Sequence, residues 1–253
     1  MKESSQPSSL SPSVDFPVKR VLLKISGEAL MGDQSSGIHP EVVARIAGEI
    51  QQVHDMGIQI CIVIGGGNIF RGVLGEQHGI DRTTSDHMGM LATVINALAL
   101  QGALEKLGVD VRIQSAIPMD TICESYIRRR AMAHLYKRRV VIFAAGSGNP
   151  YFTTDTAAVL RASEMNCDVL AKGTKVNGIY EDDPKKNPNC KRFDTLTYEQ
   201  VIREKLNVMD MAAIALARDN QLPVIVFSIQ EQGNFMNIVK GQGTFTIVNT
   251  KEA

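Results

Sequence analysis

Tryptophan is missing from this 253-residue chain and aromatic residues make up only 5% of it, so an aromatic platform for stacking bases is excluded. An excess of charge is missing as well. Lys+Arg and Asp+Glu number 27 each, for a formal net charge of +0 at pH 7, so no global field draws the protein to polyanions or anionic lipid. Any acidic ligand has to be held locally. The four cysteines, Cys61, Cys123, Cys167 and Cys190, include no Cys-x-x-Cys pair and read as free thiols. His39, His54, His78, His87 and His134 form neither His-x-x-His nor His-Glu-x-x-His, so no metal site is expected in the protein itself. No continuous apolar run approaches the roughly 18 residues of a membrane span, and the first residues carry no secretory apolar segment. These absences point to a cytoplasmic protein that partners neither nucleic acid nor membrane.

What is present is an ordinary globular composition, 44% hydrophobic, with the core left to Val, Ile, Leu, Met and Ala. Residues 1–17 hold six Ser and three Pro, too little apolar surface to offset the entropy of ordering them. They are expected to form a disordered tail ahead of a single domain over residues 18–253. Within that domain short apolar runs alternate with helical patterns. RVLLKIS is followed by a helix opening at His39-Pro40, with Val43, Ile46, Ile50 and Val53 on one face and Gly57 as its stop. The run Ile58 to Ile64 ends in Gly65-Gly66-Gly67. A long helix is expected over about Ser85 to Leu107, then the strand VDVRIQS, a helix over Arg128 to Tyr136 and the strand RVVIFAA. A helix over Thr156 to Asn166, the strand CDVLAKG and the late strands PVIVFSI and TFTIV complete the series. Strands apolar on both sides are buried between layers, and this alternation predicts an α/β three-layer αβα sandwich with a mainly parallel central sheet.

Polar and glycine-rich segments sit where the strands stop: KISGEAL, GGGNIFRG, GSGNPYFTTDTAA and KGTKVNGIYEDDP. Ligands of open α/β sheets bind outside the carboxyl ends of the strands, and glycines let backbone N–H groups close on an anion. Together these ends read as one composite phosphate site. Yet G-x-x-x-x-G-K-[ST] and a post-strand G-x-G-x-x-G are both absent, so neither the P-loop nor the dinucleotide fingerprint supplies it. Several of the residues also have structural readings. Lys24 lies inside an apolar run and needs an anion partner, read as a phosphate with a structural salt bridge as the alternative. Thr153-Thr154-Asp155 suits a helix N-cap, and Asp182-Asp183-Pro184 a turn. Arg128-Arg129-Arg130 and Lys137-Arg138-Arg139 read as solvated or subunit-facing charge.

In this order, KISGEAL, IGGGNIFRG, DHMGMLATVINALAL, GSGNPYFTTDTAA, KGTKVNGIYEDDP and LNVMDMAAIALARDNQLPV resemble the bacterial uridylate kinases of the amino acid kinase family, over about Lys19 to Val248. Eukaryotic UMP/CMP kinases use a P-loop fold, so the missing P-loop agrees with the bacterial type. The resemblance implies a homohexamer and reversible transfer of a phosphoryl group from MgATP to UMP, within pyrimidine nucleotide biosynthesis. By matching position it implies a catalytic group of Lys24, Asp155, Lys172 and Arg71. UMP would be bound by Gly66, Asp86 and the loop Ser147, Gly148, Asn149, Pro150, Tyr151, Phe152, Thr153 and Thr154. ATP would be bound by Lys24, Gly67, Arg71, Thr174, Tyr180 and Asp183, with Mg²⁺ arriving on the ATP.

Some relatives of this kind are activated by GTP through basic residues on the long helix. Gln101 and Glu105 occupy that stretch here and are poor partners for a triphosphate, although Gly32 to Gly37 falls where the family has an activation loop. UTP inhibition is implied only by the resemblance. The competing readings are a carboxylate or carbamate kinase of the same fold and a non-catalytic protein storing oxoanion clusters.

Overall fold

The computed structural model describes residues 14–72, 79–184, 186–206 and 208–249. A nine-stranded sheet forms the middle layer. Its strands are β1 (Arg20–Ile25), β2 (Gln59–Ile64), β3 (Val111–Ser115), β4 (Glu124–Ser125), β5 (Val140–Ala144), β6 (Val169–Thr174), β9 (Thr195–Thr197), β10 (Val224–Ser228) and β11 (Phe245–Asn249), and their order is β4-β3-β5-β2-β1-β6-β10-β11-β9. All neighbours are parallel except β10 and β11. The short strands β7 (Ile179–Tyr180) and β8 (Arg192–Phe193) pair separately and antiparallel. The helices are α1 (Pro40–Asp55), α2 (Arg82–Lys106), α3 (Arg128–Tyr136), α4 (Thr154–Glu164), α5 (Tyr198–Arg203), α6 (Met211–Asp219) and α7 (Asn234–Val239).

The period-2 alternation of β1 divides the core. Val21, Leu23 and Ile25 pack with α1, α2 and α7 through Ile46, Ile50, Leu100 and Ile238. Leu22 packs on the other face with α3, α4 and α6 through Leu135, Val159, Ala162 and Ile214. The three-layer expectation holds. Lys24 shares the parity of Leu22, so its side chain lies on the α4 face.

Boundaries differ from the sequence reading where side chains cap. α2 starts at Arg82 because Asp81 accepts the Thr84 N–H at 3.1 Å, and α4 starts at Thr154 because Thr153 accepts the Asp155 N–H at 3.1 Å. The sequence reading does not place the short helices α5, α6 and α7; α5 is held by a Thr197/Gln200 capping box. The tail boundary also moves. Val14 is buried and Phe16 packs against the first core cluster, so residues 14–17 belong to the folded body, while residues 1–13 of the expected tail lie outside the described residues.

α2 has a mean hydropathy of 1.3 over an 18-residue window, enough in length and composition for a membrane span. Met90, Val94, Ala97, Leu100 and Leu104 are buried against the sheet and α1, which is how a core helix reaches that value.

Candidate functional site

Two parallel neighbours set up the site. Lys24 of β1 and Lys172 of β6 are direct register partners, and like charges placed opposite one another destabilise a sheet unless something neutralises them. Asp155, in the first turn of α4, does so. Lys24 Nζ lies 2.7 Å from its Oδ1 and Lys172 Nζ donates to its Oδ2 at 2.8 Å. Lys172 also donates to the Val208 carbonyl at 2.5 Å. Burial alone pushes the Asp155 carboxyl up, but the charges and hydrogen bonds of both lysines outweigh it and hold it below the ordinary value of 3.8. Lys172 is drawn below 10.5, chiefly by burial, with the Lys24 charge adding to the effect and Asp155 and Asp210 opposing it.

Asp210, which the sequence reading did not single out, ties the starts of two helices together. It caps α6 through the Ala213 N–H at 2.8 Å, accepts the Thr156 hydroxyl at 2.8 Å and also accepts the Thr153 hydroxyl. Its sequence signal was the Asp before the helical run MAAIALA.

Two cavities meet at the first turn of α4. The larger, about 910 Å³, is lined by Lys24, Asp155, Lys172, Thr174, Tyr180, Asp183 and Asp210 among others. The smaller, about 380 Å³, is lined by Gly66, Gly67, Arg71, Ser85, Asp86, Thr93, Ser147 and Phe152. Thr153 and Thr154 line both. The expected ATP set thus divides: Lys24, Thr174, Tyr180 and Asp183 lie on the larger cavity, whereas Gly67 and Arg71 lie on the smaller. Of the expected UMP set, Gly66, Asp86, Ser147, Phe152, Thr153 and Thr154 face the smaller cavity. Gly148, Asn149, Pro150 and Tyr151 line neither and form the turn beside it.

That turn is pinned from α2. Asp86 accepts the Tyr151 N–H at 2.7 Å and the Arg82 Nε–H at 3.0 Å. Arg71 is paired with Glu28 at 2.6 Å and donates to the Gly67 carbonyl at 3.2 Å. Gly66 presses its backbone on α2, where an added Cβ would lie 2.7 Å from the Gly89 carbonyl oxygen and 2.8 Å from Ala92 Cβ. Sequence reasoning also missed Ser85, whose buried hydroxyl has no hydrogen-bond partner among the described residues, and Thr93, which accepts the Ala145 N–H at 2.7 Å.

Chemically, two largely buried lysines, a helix N-terminus and a glycine turn lie on two cavities that share Thr153 and Thr154, an arrangement suited to anionic ligands. Among the described residues no group of three or more His, Cys, Asp or Glu could hold a metal ion.

Residues 19–228 match the amino acid kinase family. The chain is 63% identical over 230 residues to a protein of Cereibacter sphaeroides named uridylate kinase, covering 91% of this chain and 94% of that one. It is 61% identical over 238 residues to the uridylate kinase of Roseobacter denitrificans, covering 94% and 98%. Among solved structures, UMP kinase from Bacillus anthracis superposes with a TM-score of 0.91 at 43% identity, covering 93% of this chain and 98% of that one. UMP kinase from Ureaplasma parvum gives 0.88 at 36%, covering 92% and 99%.

Proposed function

The chain belongs to the amino acid kinase family, and from that premise we propose that it is a phosphotransferase carrying the terminal phosphoryl group of MgATP to UMP, reversibly, giving UDP and ADP. The observation that carries this reading is the meeting of the two cavities at Thr153 and Thr154, directly beside the Lys24–Asp155–Lys172 cluster. ATP is assigned to the larger cavity and UMP to the smaller.

A UMP phosphate oxygen is already anionic at neutral pH, so attack requires no general base. The reaction requires charge neutralisation and alignment of two anions. Lys24 and Lys172 stabilise charge on the transferring group, and Asp155 orients them. The N–H groups at the start of α4 and the glycine turn hold donor and acceptor in line, with Arg71 on the acceptor phosphate. Mg²⁺ supplies neutralisation of the triphosphate. Asp155 and Asp210 on the wall of the larger cavity would be the carboxylates able to contact the waters of an ion that arrives already held by the phosphates.

We assign a cytoplasmic setting and a homo-oligomer, a hexamer by family. The support for assembly is the apolar stripe of Met88, Leu91, Ile95 and Leu98 on α2, each 37–50% exposed. Gln101 donates to Glu105 at 3.0 Å, and neither side chain offers a triphosphate a positive charge. GTP activation and UTP inhibition are therefore to be tested directly.

The test is ADP release from MgATP over a panel of UMP, CMP, N-acetylglutamate and aspartate, repeated with EDTA, GTP and UTP. Release dependent on UMP and magnesium is expected. Turnover of an amino acid instead, or purified protein carrying molybdenum and no activity, would overturn the assignment.

A further inference from the structure

Two asparagines behind the glycine turn carry an inference that rests on the UMP reading and deepens it. Asn68 and Asn96 are 2% and 0% exposed and face one another. Asn96 Nδ2 donates to Asn68 Oδ1 at 2.7 Å and Asn68 Nδ2 donates back to Asn96 Oδ1 at 3.0 Å. Each amide spends its second N–H on a main-chain carbonyl: Asn96 on Gly65 at 2.7 Å, Asn68 on Gly37 at 2.9 Å. Carbonyl oxygens only accept, so the orientation of both amides is forced. The Asn68 main-chain carbonyl in turn accepts the Gly37 N–H at 2.7 Å. The glycine turn, the loop ending at Gly37 and the core helix α2 are thus joined in one buried knot.

The knot fixes a direction. In a planar trans peptide the C=O of one residue and the N–H of the next point opposite ways. Asn96 draws the Gly65 carbonyl into the core, which turns the Gly66 N–H away from it, on the side of the smaller cavity that Gly66 lines. The Gly66 carbonyl accepts the N–H groups of Ile69 and Phe70, both at 3.0 Å, which orients the Gly67 N–H by the same rule.

We propose that Asn96 is a positioning residue for UMP: through the Gly65 carbonyl, and braced by Asn68, it aims the Gly66 N–H at the acceptor phosphate. Asn96 does not touch the ligand. Its loss therefore acts on phosphate binding through backbone direction and spares the ATP cavity, whose lining includes none of these residues.

The experiment compares Asn96→Ser with Glu49→Gln, which perturbs another buried hydrogen-bonded side chain, one that accepts the N–H groups of Gly233 and Phe235 far from the turn. Steady-state KM for UMP and for MgATP is measured on folded protein of known Tm. The expected result for Asn96→Ser is a rise of about tenfold or more in KM for UMP with KM for MgATP unchanged, and no such split for Glu49→Gln. Equal changes in both KM values, or a fall in Tm with both unchanged, would overturn the inference. If Asn96→Ser fails to fold, Asn96→Asp, which keeps the size and the acceptor, carries the same comparison. Failure of the parent protein to phosphorylate UMP would sink the functional reading instead, and the parent control reports that separately.

Discussion

Lys24 and Lys172 stand directly opposite one another on adjacent parallel strands, and both ammonium groups end on the single carboxylate of Asp155, at 2.7 and 2.8 Å. Removing that carboxylate leaves two buried cations facing each other. Asp155→Asn is expected to lower stability by about 3–5 kcal/mol, the usual cost of breaking a buried pair from one side. A denaturant titration of parent and variant reads it, and a loss under about 1 kcal/mol would mean that water already neutralises the lysines.

The same cluster sets the pH response. The Asp155 carboxyl titrates below 3.8 in the folded protein, so its contribution to stability is complete above 3.8 and is lost as pH falls through the lowered folded value. Lys172 titrates below 10.5. Its contribution to stability is complete above 10.5 and is lost as pH falls through the folded value, yet its catalytic charge is lost on the way up. The catalytic efficiency kcat/KM, which reports the free enzyme, is expected to fall on the alkaline side before 10.5 is reached while stability holds. An arginine stays protonated there, so Lys172→Arg, where active, is expected to lose that alkaline limb in a kcat/KM–pH profile. A limb unchanged in the variant would assign it to another group.

Lys24→Ala is expected to cut turnover at saturating MgATP and UMP by a factor of about 10² to 10³, the effect of deleting one electrostatic contact to a transferring group. Near-normal turnover would remove Lys24 from the reaction and leave it a structural ion pair.

Two glycines separate architecture from ligand contact. A Cβ on Gly27 would meet Asn68 Oδ1 at 2.5 Å, Gly67 N at 2.7 Å and the Gly65 carbonyl oxygen at 2.9 Å, whereas one on Gly67 meets nothing within 4 Å. Gly27→Ala is expected to cost about 1–3 kcal/mol through overpacking. Gly67→Ala should fold normally and raise KM for UMP, because Gly67 lines the smaller cavity and an added methyl group there meets no protein atom. Thermal melts alongside KM for both variants check the contrast.

The layered fold and the two lysines were legible along the chain because they follow local rules: apolar runs of strand length, glycines after them, and a cation inside an apolar run that demands an anion. The sequence reading left the nature of that anion open, as salt bridge or phosphate. The structure supplies a salt bridge, to Asp155, and places it on the wall of the larger cavity. Asn96 and Asp210 were harder to see. Asp210 carries a local signal as the cap of a short helix, through Ala213, but its ties to Thr153 and Thr156 and the pairing of Asn96 with Asn68 join residues 54–57 and 28 positions apart, and no spacing marks those.

By itself, the sequence determined which residues could form strands and helices, that nucleic acid would not be gripped by charge or stacking, and where backbone could approach an anion. Those properties depend on side-chain period, composition and glycine content over a few residues. Tertiary structure alone decided that Lys24 and Lys172 are register partners, that Gly67 and Arg71 line the smaller cavity, and that a buried asparagine pair holds the glycine turn. These depend on strand order and on which helix lies over which strand end, and contacts closed by long loops leave no periodic trace in the chain.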